Sequence, residues 1–374
     1  MGCPAIPELD FGIWGAELQS RLVGRRYPLS GLLELTDRCN LHCVHCYINQ
    51  PVSSQAARST EMTTEQIKNV LEQVAGAGCL FLILTGGEIL ARPDFAEIYQ
   101  HARRQGLVIG LFTNATMITP GIADLLARER PQFIDITLYG ATQENYERIT
   151  GIPGSYDRCV QGIDLLLERD LPVFLKTSLI SINRPELDAI KDFAAKRGIK
   201  HRFDSQVWPR LDGSEQPFYF QLSIDEILEI DKNDPERRQE WIRIADQFGG
   251  AATRSEQVYS CGAALQIFHI DSTGRISGCT MSRQPSYSLL QMSFDEAWAK
   301  LGEIRSLKRQ QDNQCRTCTL GGICQQCPAW SQAVHGDNET IVDFLCDLAH
   351  ARAAQIEEWQ YNSSIIIEEN RTYE

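Results

Sequence analysis

Residues 79–88 read CLFLILTGGE, an apolar run that ends in two glycines and a glutamate. A continuous apolar run of this length is typical of a strand buried on both faces of a parallel sheet. Five further segments are interpreted as strands: GLLELT (31–36), LVIGLF (107–112), FIDITL (133–138), PVFLKTSLI (172–180) and HRFDSQV (201–207). Helical patterns separate them at 63–77, 93–105, 119–129, 155–169 and 185–197. The alternation predicts an α/β fold, a partial (β/α)6 TIM-type barrel.

Polar motifs fall where these predicted strands end. Active sites of parallel barrels lie at the carboxyl ends of the strands, so residues far apart in sequence are expected to meet there. The candidates are Cys39, Cys43 and Cys46 after the first strand, Gly86, Gly87 and Glu88 after the second, Thr113 and Asn114 after the third, Thr137 at the end of the fourth, and Lys176 and Ser178 along the fifth.

Composition narrows the class of protein. The chain of 374 residues has a formal net charge of −13, which argues against a nucleic-acid partner because phosphate binding favours a basic surface. The sequence contains neither a secretory signal nor an apolar stretch of the roughly 20 residues that a membrane span needs. We therefore expect a cytoplasmic protein without a membrane partner. Its 13 cysteines are then unsuited to a disulfide framework and indicate metal binding or catalysis.

Three of these cysteines lie within eight residues, in LTDRCNLHCVHCY (35–47). Three thiolates at this spacing can hold three irons of a cubane [4Fe–4S] cluster and leave the fourth iron open to a substrate or cofactor. A structural zinc site is the alternative, with His42 or His45 as its fourth ligand.

The pattern Cys39-x3-Cys43-x2-Cys46, followed by Gly86-Gly87-Glu88 at the end of the second strand, resembles the signature of radical S-adenosylmethionine (SAM) enzymes. The resemblance extends over about residues 30–350. It implies a cluster that chelates SAM, reductive cleavage to a 5′-deoxyadenosyl radical, and hydrogen abstraction from an unactivated C–H bond. In this chemistry the protein supplies positioning and excludes competing reactions.

The resemblance also implies which residues contact SAM. Gly86 and Gly87 are expected to let the backbone approach the cofactor, and Glu88 to hold its ammonium. Arg158 resembles the family's carboxylate-binding arginine, although it could equally be a residue on a helix surface. The full expected set is Tyr47, Gly86, Gly87, Glu88, Thr113, Asn114, Thr137, Arg158, Lys176 and Ser178.

Seven further cysteines lie near the C-terminus and resemble the ligands of a SPASM domain, a small α+β module that carries auxiliary [4Fe–4S] clusters. A zinc ribbon is the alternative. By family position, one cluster would be held by Cys315, Cys318, Cys324 and Cys346, and the other by Cys261, Cys279 and Cys327. The second set lacks a fourth cysteine, so we predict an open or non-cysteine site there, filled by His269 or a substrate thiolate. The expected cofactors are therefore SAM and three [4Fe–4S] clusters.

Charged residues after the sixth strand, in HRFDSQVWPRLDGS, are candidates for substrate binding or proton transfer: Asp204, Arg210 and Asp212. The alternative is a surface turn at Asp212-Gly213. The branch that matures sulfatases typically has an aspartate after the second cysteine of the C-terminal domain. Thr280 occupies that position here and disfavours that branch.

These observations predict a radical SAM/SPASM enzyme that oxidatively modifies a ribosomally synthesised peptide through a thioether, C–C or C–O crosslink. The alternatives are a radical dehydrogenase or cofactor-biosynthesis enzyme acting on a small molecule, and an interaction protein stabilised by zinc. The expected partners are a precursor peptide, a separate leader-binding protein, and an electron donor such as flavodoxin or ferredoxin. The predicted segments are an N-terminal extension (1–30), the barrel (31–208), a helical connector (209–255), the SPASM domain (256–350) and a C-terminal helix or tail (351–374).

Overall fold

A nine-stranded sheet forms the centre of the protein in a computed structural model that describes residues 11–48, 50–248 and 255–371. The strands are β1 (Ser30–Glu34), β2 (Arg38–Cys39), β3 (Gln50–Pro51), β4 (Phe81–Thr85), β5 (Val108–Thr113), β6 (Phe133–Thr137), β7 (Val173–Ser178), β8 (Lys200–Asp204), β9 (Ile267–Ile270), β10 (Arg275–Ser277) and β11 (Tyr287–Ser288). The order is β11-β10-β9-β1-β4-β5-β6-β7-β8, and β2 pairs with β3 separately. Strands β1 and β4 to β8 are parallel neighbours, as the alternation predicts.

Helices cover the sheet. They are α1 (Phe11–Arg21), α2 (Gln55–Thr60), α3 (Thr64–Gly76), α4 (Phe95–Arg104), α5 (Pro120–Arg128), α6 (Gln143–Thr150), α7 (Ser155–Leu167), α8 (Leu187–Lys196), α9 (Ile224–Asn233), α10 (Pro235–Phe248), α11 (Phe294–Leu301), α12 (Pro328–His335) and α13 (Asp343–Arg371). Helix α3 shows why such segments are helical. Thr63 and Gln66 form a capping box, and the buried residues Ile67, Val70, Leu71 and Val74 recur at helical spacing along one face.

The strands bury one set of side chains against these helices and turn the other set inward. Leu82, Ile109 and Ile134 belong to the main hydrophobic core between sheet and helices. Because side chains alternate along a strand, their neighbours face the concave side, which we call the lumen. Asp135 and Lys176 lie on that side, so the lumen is polar and charged beneath the carboxyl ends of the strands.

Three features differ from the sequence expectation or refine it. Helix α6 was not predicted. Strands β9 and β10 form a hairpin, and β9 pairs in parallel with β1, so the barrel sheet continues past the boundary proposed at residue 256. Helix α13 begins at Asp343, before the boundary proposed at residue 351. Within the described ranges, no helix combines the length and the apolar character required to cross a bilayer.

Candidate active site

The loop that carries Cys39, Cys43 and Cys46 is fixed by backbone hydrogen bonds. Its first cysteine ends β2, and the Cys46 N–H donates to the Cys43 carbonyl at 3.0 Å. The His42 and Val44 N–H groups donate to the last two carbonyls of α6, those of Thr150 and Ile149, at 2.8 and 3.0 Å. Helix α6 therefore anchors this loop at the carboxyl edge of the barrel.

The environment of these thiols fits a metal-bound thiolate cluster. Burial raises the pKa of Cys39 to about 12 and raises that of Cys43 well above its ordinary value. Cys39 Sγ accepts from the Leu41 N–H at 3.4 Å and lies 3.7 Å from the Asn114 amide nitrogen. Free buried thiols are thus kept protonated, whereas iron would supply the positive charge that stabilises thiolates, and the two N–H donors face the sulfur.

The two glycines of the Gly86-Gly87-Glu88 motif allow a backbone contact that the sequence did not predict. Gly86 has φ +135°, and a Cβ there would overlap the carbonyl oxygen of Thr36; one at Gly87 would overlap that of Arg38. The Gly87 N–H donates to the Thr36 carbonyl at 2.8 Å. The close approach seen here joins the loops after β1 and β4, whereas we expected an approach to the cofactor.

Glu88 is fully buried and bonded to neighbouring strand ends. Its carboxylate accepts from the Thr113 hydroxyl at 2.8 Å, from the Asn114 N–H at 2.8 Å and from the Leu90 N–H at 3.1 Å. Burial raises its pKa, and these hydrogen bonds oppose that rise. Asn114 in turn donates to Asn40 Oδ1 at 3.0 Å, inside the cysteine loop. Glu88, Thr113 and Asn114 therefore form one network that ends at Cys39.

The other proposed SAM contacts lie either at the ends of strands or on the exposed surface of a helix. Thr137 ends β6 and is level with Lys176 on β7, while Ser178 ends β7. Arg158 lies on the exposed side of α7, and its guanidinium contacts the Pro153 carbonyl at 3.5 Å. The structure brings the strand-end residues together and leaves the Arg158 side chain at the surface.

Of the three proposed catalytic residues, Arg210 and Asp212 lie in a turn beside the cysteine loop, whereas Asp204 lies on the edge strand β8. Asp204 ends β8, and its carboxylate accepts from the Gln206 N–H at 3.0 Å. Arg210 and Asp212 belong to a tight turn in which the Gly213 N–H donates to the Arg210 carbonyl at 2.9 Å. The Leu211 N–H in this turn donates to the carbonyl of Tyr47 at 3.0 Å. The turn alternative is therefore present in the structure, and it packs against the residue that follows Cys46.

The seven C-terminal cysteines lie at two locations. Four thiols line one cavity of about 460 Å³, those of Cys315, Cys318, Cys324 and Cys346. The pKa of Cys279 is raised by burial and by its neighbours Cys327 and Cys261, so these three thiols share a second location. Across the described ranges, no three His, Cys, Asp or Glu side chains converge on one point as ligands of a single ion would. In a cubane cluster each thiolate binds a different iron.

Several polar side chains are buried together between β1, β9 and the Cys279 loop, and the sequence did not predict this cluster. Glu34 and His269 are fully buried, with Glu34 Oε1 lying 3.3 Å from His269 Nε2 and 2.7 Å from the Arg283 guanidinium. Burial would raise the pKa of Glu34, but His269 and Arg283 lower it below its ordinary value. The other ring nitrogen of His269 faces Ser277 Oγ at 3.1 Å.

This arrangement bears on the expected role of His269 as an iron ligand. His269 Nδ1 contacts Ser277 Oγ, whereas Nε2 lies 3.3 Å from Glu34 Oε1 without a hydrogen bond, so a role for His269 as an iron ligand stays a prediction. Arg283 also donates to the Thr280 carbonyl at 2.9 Å and thereby ties the Cys279 loop to the barrel. A charged residue inside the apolar run GLLELT was the available sequence signal for Glu34.

Comparison with known proteins agrees with this geometry. Residues 33–194 match the model of the radical SAM superfamily. The chain is 27% identical to the AdoMet-dependent heme synthase of Methanosarcina barkeri, over 81% of this chain and 92% of the relative. It is 25% identical to the mycofactocin maturase MftC of Mycobacterium tuberculosis, over 80% and 77%. The crystal structure of Streptococcus suis SuiB bound to its precursor peptide SuiA superposes with a TM-score of 0.68 at 17% identity, covering 92% of this chain and 84% of that one.

Residues 33–194 are thus a radical SAM domain, and the protein that carries this domain is an enzyme. The resemblance predicted from the cysteine motif and the TIM-type barrel fold are both confirmed. Membership of this class implies one [4Fe–4S] cluster and SAM as cofactors.

Proposed function

We propose that this enzyme oxidatively modifies a ribosomally synthesised peptide by forming a thioether, C–C or C–O crosslink. The observation that carries the proposal is the open side of the barrel. Among the described residues, strand β8 pairs only with β7, and a cavity of about 1030 Å³ runs beside residues 201–205, between β8 and α10. An extended peptide fits such an opening and reaches the carboxyl edge of the strands from the side. MftC is named as a maturase, and SuiB was crystallised with a precursor peptide.

The residues of the barrel edge support the radical step. A [4Fe–4S] cluster on Cys39, Cys43 and Cys46 would supply the electron that cleaves SAM. The network of Glu88, Thr113 and Asn114 orients the cysteine loop through Asn40, and Asn114 itself lies beside Cys39. Within this proposal Thr137, Ser178 and Tyr47 line the SAM site from the neighbouring strand ends, and Arg158 reaches the SAM carboxylate only if its side chain turns inward.

Two auxiliary clusters belong to the same proposal. Cys315, Cys318, Cys324 and Cys346 supply four thiols to one, and Cys261, Cys279 and Cys327 supply three to the other. Such clusters offer an acceptor for the electron that a substrate radical must lose when a new bond forms. Asp204, Arg210 and Asp212 lie where they could accept the accompanying proton or hold the peptide. The partners in this proposal are the precursor peptide, a separate leader-binding protein, and flavodoxin or ferredoxin as electron donor.

The test is coexpression with each short peptide encoded beside the gene, followed by mass spectrometry of the peptide. A crosslink lowers the peptide mass by about 2 Da, and fragmentation locates it. The variant with Cys39, Cys43 and Cys46 changed to Ala is the control and should return unmodified peptide. Purified enzyme with SAM and reductant should form 5′-deoxyadenosine in step with the product. Unaltered mass for every such peptide, despite SAM cleavage, would contradict the proposal.

A second candidate is a step in tetrapyrrole biosynthesis. The match to the heme synthase extends over 92% of that relative, which is longer coverage than the match to MftC. The same preparation incubated with iron coproporphyrin distinguishes the two candidates. Conversion of the porphyrin together with 5′-deoxyadenosine formation, and no change in any peptide, would favour this second function.

A further inference from the structure

Three charged side chains meet on the lumen face of adjacent strands, and we call them the lumen trio: Asp135 of β6, Lys176 of β7 and Arg202 of β8. Lys176 and Arg202 are level with each other in the strand register. The Arg202 guanidinium donates to Asp135 Oδ2, and Lys176 Nζ lies 3.8 Å from the same oxygen. Asp135 is 2% exposed and Lys176 26% exposed, so the carboxylate is sealed whereas the ammonium still reaches the lumen.

The charges of the trio do not balance. Within the trio, two cations share one carboxylate, which leaves one positive charge. Lys176 Nζ lies 3.4 Å from the centroid of the Phe112 ring, and within the described residues it donates no hydrogen bond. Its N–H groups are therefore available to a ligand, and a buried cation gains most from an anionic one. Burial lowers the pKa of Lys176 to about 8; Asp135 opposes this effect and Arg202 adds to it.

The trio lies directly beneath the carboxyl edge of the barrel, where the cysteine loop is anchored. Thr137, the last residue of β6, pairs in register with Lys176, and only Thr177 and Ser178 separate Lys176 from the end of β7. Phe112 precedes Thr113, the last residue of β5, whose hydroxyl donates a hydrogen bond to Glu88. A molecule held at Lys176 would thus lie within the barrel, below the level of the cysteine loop and within reach of a radical generated there.

We propose that Lys176 and Arg202 bind a carboxylate group of the substrate. The inference rests on the proposed function in that the substrate must enter the barrel. A peptide offers such a group in an acidic side chain or its C-terminus, and a porphyrin offers it in its propionates. The methionyl carboxylate of SAM is the other source of the same chemistry, and the test separates the two.

The test is competitive labelling of the reconstituted holoenzyme with trinitrobenzenesulfonate at pH 8, with each lysine followed by mass spectrometry. The probes are succinate and its neutral analogue succinamide. Succinate should slow labelling of Lys176 at least fivefold, and succinamide less than twofold. Lys308, which is exposed and lies outside the barrel strands, is the internal control and should change less than 1.5-fold. Arg202→Gln should reduce the protection by succinate to under twofold. Equal protection by the two probes, or none, overturns the proposal.

A second arm identifies the source of the carboxylate. SAM and decarboxylated SAM are compared as protecting ligands in the same labelling experiment. Protection of Lys176 by SAM alone would assign the site to the cofactor and overturn the assignment to the substrate. Equal effects of the two, together with protection by succinate, support it. The labelling needs no turnover, so failure of peptide modification leaves its result unaffected, and failure of the labelling leaves peptide modification unaffected.

Discussion

Glu88 shows how a single buried side chain holds several loops in place at the carboxyl edge of the barrel. Its carboxylate accepts hydrogen bonds from the carboxyl end of β5 and from its own loop. Through Asn114 and Asn40 it fixes the position of Cys39. A buried carboxylate is costly unless it is hydrogen-bonded, and three donors meet that need here. Glu88 is therefore a positioning residue for the cysteine loop, a role that its place in the sequence motif did not reveal.

Gly86→Ala should lower the free energy of unfolding by about 2–4 kcal/mol, because the methyl group overlaps the Thr36 carbonyl and the residue keeps a positive φ. Gly106→Ala is the matched control: it also has a positive φ, +80°, but its methyl group would meet no atom. That variant should lose only about 1 kcal/mol. Urea unfolding of both variants measures the difference, and equal losses would show that the contact with Thr36 contributes nothing.

At the level of elements, β9 joins the C-terminal cysteine region to the barrel. It lies parallel to β1, and the ring of Phe268 fills the space beside Gly31. The Cys279 loop is held to β1 by the ion pair between Arg283 and Glu34. The distance between the two cysteine regions is thus set by strand pairing and by a buried ion pair.

Gly31→Ala should destabilise the protein by about 2–3 kcal/mol, because its methyl group overlaps the Phe268 ring. Phe268→Leu provides room and should recover about 1–2 kcal/mol of that loss in the double variant. A double-mutant cycle by urea unfolding measures this coupling. Gly76→Ala, whose methyl group meets no atom, is the control and should leave stability unchanged or slightly higher. Strictly additive effects of the two substitutions would contradict the packing of β9 on β1.

For the whole molecule, three cysteine sets predict the metal content. After anaerobic reconstitution we expect about 12 irons and as many acid-labile sulfides per chain, and about four fewer in the variant with Cys39, Cys43 and Cys46 changed to Ala. Cys346→Ala should disturb one auxiliary cluster and leave SAM cleavage intact, because Cys346 lines a different cavity from the cysteine loop. Zinc in place of iron at the C-terminal sets, or about four irons in total, would refute the three-cluster proposal.

Local patterns in the sequence determine the parallel strands, the helices that separate them, and the class of enzyme. Apolar runs and capping residues specify each element from nearby residues, and the Cys39–Cys46 spacing carries chemistry that depends on few positions. Helix α6 was not predicted because QENYERIT is polar and short. Its stability comes from the buried contacts of Tyr146 and Ile149. The partition of seven cysteines came from family resemblance, since spacing alone leaves several pairings open.

Only the tertiary structure decides which distant charges meet. Glu34 and His269 are separated by more than 200 residues and join because β9 pairs with β1. Asp135, Lys176 and Arg202 become one group because three parallel strands place their side chains on the same face. The two glycines likewise owe their contact to the loop after β1 rather than to their own neighbours. The sequence determines which elements form because those forces are local, whereas the lumen and its charges arise from pairing across the sheet, which no local pattern encodes.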